Sequence, residues 1–295
     1  MHPLSQAQAI QPAHLGAMLS STIGSVFIAI ENKGFHVKHD AMKRVTAVAN
    51  QKGGVGKTTT SINLAASLAA LDKHVLLIDV DPQGNATTGL GIDKREVNQG
   101  SYEILINSTP LEEAILPTSC EGLMLVPASM DLAGAEVELV GVAGRERVLD
   151  RALSNYTGKP FDYVFIDCPP ALNLITLNAF TAADRVLVTL QAEFYAMEGL
   201  TQLMDTIRRV RGNLNPHLNM DGILLTMVDR RNNLSVQVEE EVRNYFGSQV
   251  YEASIPRNVR LSEAPSFGVP VMYHDLRSSG AQAYLQVAQE MMRRG

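Results

Sequence analysis

The sequence predicts an α/β fold, a doubly wound and mostly parallel sheet flanked by helices. Three observations carry that expectation. Short apolar runs alternate with stretches of helical periodicity, the pattern of strand–helix–strand crossovers. Several runs are continuously apolar, as strands buried on both faces must be. A glycine-rich loop, residues 53–56, stands between the first run and the first helical stretch.

In chain order, residues 45–50 form a β-branched run and predict the first strand. Residues 58–71 carry Ile62, Ala65, Ala66, Leu68 and Ala69 at helical spacing. Residues 75–78 are wholly apolar and predict the second strand. Further strands are expected at 123–126, 163–166, 186–190 and 223–227. Helices are expected at 132–153, 197–210, 236–246 and 281–292. Alternation of this kind closes through right-handed crossovers. No repeat, low-complexity tract or Pro/Gly linker divides residues 42–295, which read as one domain.

The chain has 295 residues, 45% of them hydrophobic and 19% charged, so a sizeable core can form and wholesale disorder is not expected. Two cysteines, Cys120 and Cys168, are too few for a disulfide scaffold, and a reducing cytoplasm is the expected compartment. A formal net charge of -6 repels DNA and anionic membranes, so nucleic-acid binding would need a local basic patch. No apolar run is long enough to span a bilayer.

Asn50-Gln51-Lys52-Gly53-Gly54-Val55-Gly56-Lys57-Thr58-Thr59 carries the strongest chemical signal. Glycines free backbone N–H groups to close around phosphate oxygens, and a helix starting near Thr58 adds its positive end. Lys57 is expected to reach the β- and γ-phosphates, and the Thr58 hydroxyl to ligate Mg²⁺. ATP and Mg²⁺ are therefore the expected cofactors. The carboxylates come from two strand ends. Asp79 and Asp81 follow the second strand and alternate to the same side, so they compete for one role. Asp167 ends the run 163–166 and is placed toward Mg²⁺ through water. Pro169 and Pro170 stiffen the segment after it. Cys168 reads as a small buried residue.

Gln51 stands where the usual phosphate-loop pattern has its first glycine, and Lys52 is an additional lysine. K-G-G-V-G-K-T-T resembles the deviant Walker A loop. Residues 44–292 are similar to the ParA/Soj chromosome-partitioning ATPases, P-loop NTPases of the ParA/MinD group. That resemblance implies an ATPase whose subunits pair across two nucleotides. Lys52 would then act in trans on the partner's phosphates, and Lys52, Gly53, Gly54, Val55, Gly56, Lys57, Thr58 and Thr59 would hold the nucleotide. It favours Asp81 as the residue orienting the attacking water. Asp79 is left to the Mg²⁺ shell or to support of the loop. In 254–265 it places Pro256 and Asn258 on the adenine, and it makes Arg230 and Arg260 DNA contacts. It implies a homodimer, non-specific double-stranded DNA, a ParB-type partner that stimulates hydrolysis, and a nucleoid-associated cytoplasmic location.

Two alternatives stand beside it. A MinD-like ATPase would bind membranes through its C-terminal helix. Residues 281–295 hold an apolar set with only Arg293 and Arg294 basic, which reads as a core-packing helix. An iron–sulfur ATPase would need two cluster cysteines at a dimer interface, and neither cysteine here has that placement. Residues 1–41 read as an extension that is flexible or belongs to a misassigned start, with Met42 as the first residue. Phe35-His36-Val37-Lys38-His39 back-translates to a stretch containing the palindrome TTTCACGTGAAA, which resembles the site bound by the ParB partner. Sequencing codons 35–39 checks this.

Overall fold

The computed structural model describes His39, residues 41–193 and residues 196–294. Seven strands form one sheet: β1 (Val45–Ala49), β2 (Val75–Asp79), β3 (Leu116–Pro117), β4 (Leu123–Val126), β5 (Tyr163–Asp167), β6 (Arg185–Gln191) and β7 (Asn219–Thr226). Their order is β3-β4-β2-β5-β1-β6-β7, and every pairing is parallel except β3 with β4. The doubly wound sheet expected from the alternation is the one observed. β1, β2 and β4 to β7 grow from the anticipated apolar runs. β1 and β2 are buried along their whole length, because helices cover both faces of the sheet.

Among the described residues, six helices have eight or more residues: α1 (Lys57–Ala69), α2 (Val148–Asn155), α3 (Leu174–Ala182), α4 (Ala196–Asn213), α5 (Asn233–Phe246) and α6 (Ser279–Arg293). α6 packs on α1 and buries Ala281, Ala283, Tyr284, Val287, Ala288 and Met291. The apolar stripe of the C-terminal helix is therefore core. Ser278 caps α6 by accepting from the Ala281 amide, a contact that satisfies one of the helix's orphan donors.

The single helix expected over 132–153 is instead a chain of short turns, Met130–Ala133, Ala135–Glu138, Leu139–Gly141 and Arg145–Arg147, before α2 begins. Its glycines explain the break. Gly144 sits at φ +66°, outside the helical basin, and Gly134 and Gly141 add backbone freedom that a continuous helix must surrender.

At the start of the domain, the His39 imidazole is buried. Its Nδ1 lies 3.1 Å from Ser154 Oγ and its Nε2 3.0 Å from the Ala182 carbonyl oxygen. Ala41 accepts a hydrogen bond from the Phe161 amide. The folded framework thus includes residues ahead of Met42. The rest of the extension, with residues 35–38 of the palindrome reading, lies outside the described residues.

Opposite the carboxyl ends of the strands sits a buried ionic cluster. Arg44 donates to Asp221 and, at 3.0 Å, to the Met291 carbonyl. Tyr251 donates to the other Asp221 oxygen at 2.5 Å. Arg185 adds a second cation 3.6 Å from Asp221. Gly222 lets Tyr251 lie flat against β7: a Cβ there would meet Tyr251 Cε2 at 2.8 Å and the Gln249 carbonyl oxygen at 2.9 Å. Gly222→Ala should therefore cost about 1–3 kcal/mol of unfolding free energy as overpacking, read from urea denaturation.

Candidate functional site

Strand order assembles the site. β1, β5 and β2 are neighbours, so the loops leaving their carboxyl ends meet at one edge of the sheet, where open α/β sheets bind ligands. Asp79 and Asp167 are register partners at the ends of β2 and β5.

The glycine-rich loop turns from β1 into α1. Gly54 and Gly56 have φ of +73° and +84°, a region that L side chains rarely occupy. Gly56 is the N-cap of α1, and Lys57 begins the helix. The loop is fastened at both ends. Asn50 donates to the Thr189 carbonyl at 2.7 Å and accepts from the Lys52 amide at 2.9 Å. Thr226, at the end of β7, donates to the Val55 carbonyl at 2.9 Å.

The two lysines of the loop have opposite placements. Lys57 is buried, and its ammonium donates to the Lys52 carbonyl at 3.0 Å, across the mouth of the loop. Burial pushes its pKa down, against the pull of Asp167 and Asp81. The Lys52 side chain points outward, is 44% exposed, and pairs with Glu193 at 2.7 Å. Glu193 in turn accepts from Gln191.

The carboxylates divide clearly. Asp79 is fully buried, and its oxygens accept from the Asp81 amide at 3.2 Å, the Thr87 amide at 2.8 Å and the Thr87 hydroxyl at 2.7 Å. Those contacts tie the loop after β2 to the helix Asn85–Gly89. They favour loop support over the metal shell for Asp79. Asp81 is nearer the surface and accepts from the Gln83 amide at 2.9 Å. Asp167 accepts from Ser61 Oγ at 2.8 Å. Its Oδ2 is buried without a hydrogen-bond partner among the described residues, and the Thr58 hydroxyl lies alongside. Burial raises the carboxyl of Asp167, and the Asp79 carboxylate beside it raises it further.

An orphaned, buried carboxylate oxygen beside a threonine hydroxyl is a hard-oxygen pair that fits Mg²⁺. Among the described residues no group of three or more His, Cys, Asp or Glu is arranged to hold a metal. A threonine hydroxyl and one carboxylate oxygen suit an ion that keeps waters and takes phosphate oxygens. Cys120 and Cys168 are both free and buried.

The segment 254–265 reaches the loop through β7. Val228 and Pro256 bridge in parallel, and the Arg257 amide donates to the Val228 carbonyl at 3.1 Å. A cavity of about 370 Å³ results, lined by Gly56, Thr59, Met227, Pro256, Asn258 and Tyr284 among others. Residues some two hundred positions apart in sequence thus share one wall with the glycine-rich loop. Asn258 is already engaged: its Oδ1 accepts from the Arg260 amide at 2.8 Å, and its Nδ2 donates to Ser279 Oγ at 2.8 Å. It caps the helix Val259–Glu263, and it lines the cavity.

The AAA-domain family model matches residues 43–220. The chromosome partitioning protein ParA of Caulobacter vibrioides is 56% identical over 252 residues, 85% of this chain and 94% of that protein. The sporulation initiation inhibitor protein Soj of Bacillus subtilis is 53% identical over 254 residues, 86% of this chain and 100% of that protein. The chain belongs to the ParA/Soj family of P-loop ATPases. Among solved structures, a Mycobacterium smegmatis protein titled cobyrinic acid a,c-diamide synthase, with bound ADP and magnesium, superposes with a TM-score of 0.74 at 41% identity. It covers 85% of this chain and 94% of that one.

Within this ParA/Soj chain, the motif residues Lys52, Lys57, Thr58, Asp81 and Asp167 converge at the loop edge, and Pro256 joins them through the cavity. Arg230 and Arg260 lie on the surface beyond it, both exposed. Ser61, Glu193 and Thr226 belong to none of the sequence motifs. Ser61 lies three residues after Thr58 on the same helical face, which was a usable signal. Glu193 and Thr226 arrive only through tertiary structure, from just past β6 and from the end of β7.

Proposed function

We propose that this chain is an ATP-dependent DNA-partitioning ATPase. It binds ATP with Mg²⁺, pairs with a second copy across the nucleotides, holds double-stranded DNA without sequence preference, and is discharged by a ParB-type partner during chromosome or plasmid segregation in the cytoplasm. The observation that carries the reading is the division of labour between the two loop lysines. Lys57 faces the phosphate position within its own subunit. Lys52 stands outside the loop on an exposed ion pair, where a second subunit can receive it. A cation supplied at the moment of phosphoryl transfer offsets developing charge, so hydrolysis becomes conditional on pairing.

Placement supports the remaining roles. Backbone N–H groups of residues 52–59 and the first turn of α1 hold the phosphates. Thr58 ligates Mg²⁺, and Asp167 orients its water shell through the unpartnered Oδ2. Asp81 orients the attacking water, and Asp79 steadies that loop. Pro256 and Asn258, which line the cavity, face the adenine. The partitioning relatives match this chain at higher identity than the biosynthetic neighbour does. Fold alone does not choose between such tasks.

Arg230 and Arg260 are assigned to DNA phosphate, contacts that carry no sequence information. No helix of the described residues is long and apolar enough to cross a membrane. The buried stripe of α6 also favours DNA over a membrane-surface role. With ATP, the chain should bind random-sequence duplex DNA and lose affinity steeply with added salt. Arg230→Ala/Arg260→Ala should bind about tenfold or more weakly and show a shallower salt slope. Fluorescence anisotropy with ATP, ADP or no nucleotide reads this. ATP-dependent binding to anionic liposomes without DNA binding would transfer the chain to the membrane-positioning branch.

A further inference from the structure

The two arginines assigned to DNA are not equivalent. Arg230 pairs with no carboxylate among the described residues. Arg260 is held from two sides. Its Nη1 donates to Glu263 Oε2 at 2.7 Å, and its Nε lies 3.4 Å from Asp275 Oδ2. These contacts are exposed, with the Arg260 side chain 51% accessible, Glu263 40% and Asp275 35%. The holders are themselves fixed. Glu263 Oε2 also lies 3.5 Å from His274 Nε2, and His274 stacks on Phe267 at 4.8 Å. Asp275 accepts from the Arg277 amide at 3.1 Å through Oδ1, which leaves Oδ2 turned toward Arg260. Arg260 itself rides on the helix that Asn258 caps.

A guanidinium offers a phosphate the same planar fork of donors that it offers a carboxylate. We propose that Glu263 and Asp275 act as affinity-limiting residues: they occupy the Arg260 fork in competition with DNA phosphate, so Arg260 is a conditional contact and Arg230 an unconditional one. The inference rests on the DNA-binding reading above. Exposed ion pairs are weak, so DNA displaces the carboxylates when other contacts hold it nearby, yet each Arg260 contact returns less than a free arginine would. The displaced carboxylates also remain beside the phosphate and repel it. The result is a grip on DNA that forms by many partial contacts and lets go readily. A free arginine at the same place would cling.

The test uses the full chain with ATP and a random-sequence duplex at fixed ionic strength. Glu263→Gln should tighten DNA binding about threefold, the scale of a released surface pair. The gain should disappear when Arg260→Ala is already present, because no fork is left to release. Glu240→Gln removes an exposed carboxylate elsewhere on the surface, on α5, and should change affinity less. Asp275→Asn keeps the turn acceptor for the Arg277 amide and should tighten binding in the same direction, which covers a Glu263 variant that folds poorly. Unchanged affinity in both carboxylate variants, or a gain that survives Arg260→Ala, would overturn the proposal while leaving the DNA reading in place. An unmodified chain that fails to bind DNA with ATP would remove that reading and this inference with it.

Discussion

Lys52→Ala should leave nucleotide binding nearly intact and lower ATP turnover by about a thousandfold, the scale on which a charge supplied to a phosphoryl-transfer transition state acts. The expectation follows from where the side chain lies. Lys52 contributes its amide to the Asn50 side chain and its carbonyl to Lys57, and alanine keeps both backbone contacts. What alanine removes is the exposed ammonium on Glu193. Fluorescent-nucleotide titration and phosphate release, measured on the same preparation, separate the two effects. If turnover stays within a few-fold of the unmodified chain, Lys52 is a solvated lysine, and the dependence of hydrolysis on pairing loses its physical basis. Lys57→Ala should behave differently, because its loss affects binding as well as turnover. The comparison assigns each lysine its own step.

The second large effect lies at the other edge of the sheet. Asp221→Ala should destabilise the fold by about 3–5 kcal/mol, because it leaves the Arg44 cation buried without its counter-charge. Arg44 and Asp221 side chains are 5% and 0% exposed, so water cannot substitute for the lost partner. Burial opposes ionisation of Asp221, but Arg44, Tyr251 and Arg185 together outweigh it and hold the carboxyl below the ordinary carboxylate range. The sign of the pH dependence follows. A depressed folded-state value gives stability that is present above the unfolded carboxylate's pKa and fades as pH falls through the lower, folded value. The gap between the unmodified chain and Asp221→Asn should therefore be full near neutrality and close in strong acid, read from urea midpoints across that range. A constant gap would show that packing, and not charge, holds this corner together.

Much of this molecule is legible in its sequence, and the exceptions share a cause. β2 and β4 are visible because burial on both faces demands an unbroken apolar run. β3 is not, since two residues paired antiparallel to β4 leave no periodic trace. α3 escapes notice because Leu174–Ala182 is apolar nearly all round and buried nearly all round, so no amphipathic stripe marks it. The expected helix over 132–153 overweighted apolar spacing against Gly134, Gly141 and Gly144, whose backbone freedom decided the outcome.

The site divides along the same line. Its phosphate loop and its Asp79, Asp81 and Asp167 can be read because neighbouring residues carry out neighbouring tasks. The Lys52–Glu193 pair, the Ser61–Asp167 contact and the Thr226 fastening join separate strands and helices, and only the folded chain brings them together. Asn258 is an intermediate case. The family resemblance places it at the adenine, and the structure adds that its side chain is already occupied as a helix cap bonded to Ser279.

One contact in the core has a genetic corollary. The Tyr284 hydroxyl lies 3.0 Å from Thr60 Oγ1, which couples the last helix of the chain to the helix that begins at the phosphate loop, and Tyr284 also lines the cavity. A premature stop codon late in the reading frame would spare every recognisable motif and still deprive that helix of its brace. Its phenotype would resemble that of a lesion in the loop itself, although the two map far apart in the gene.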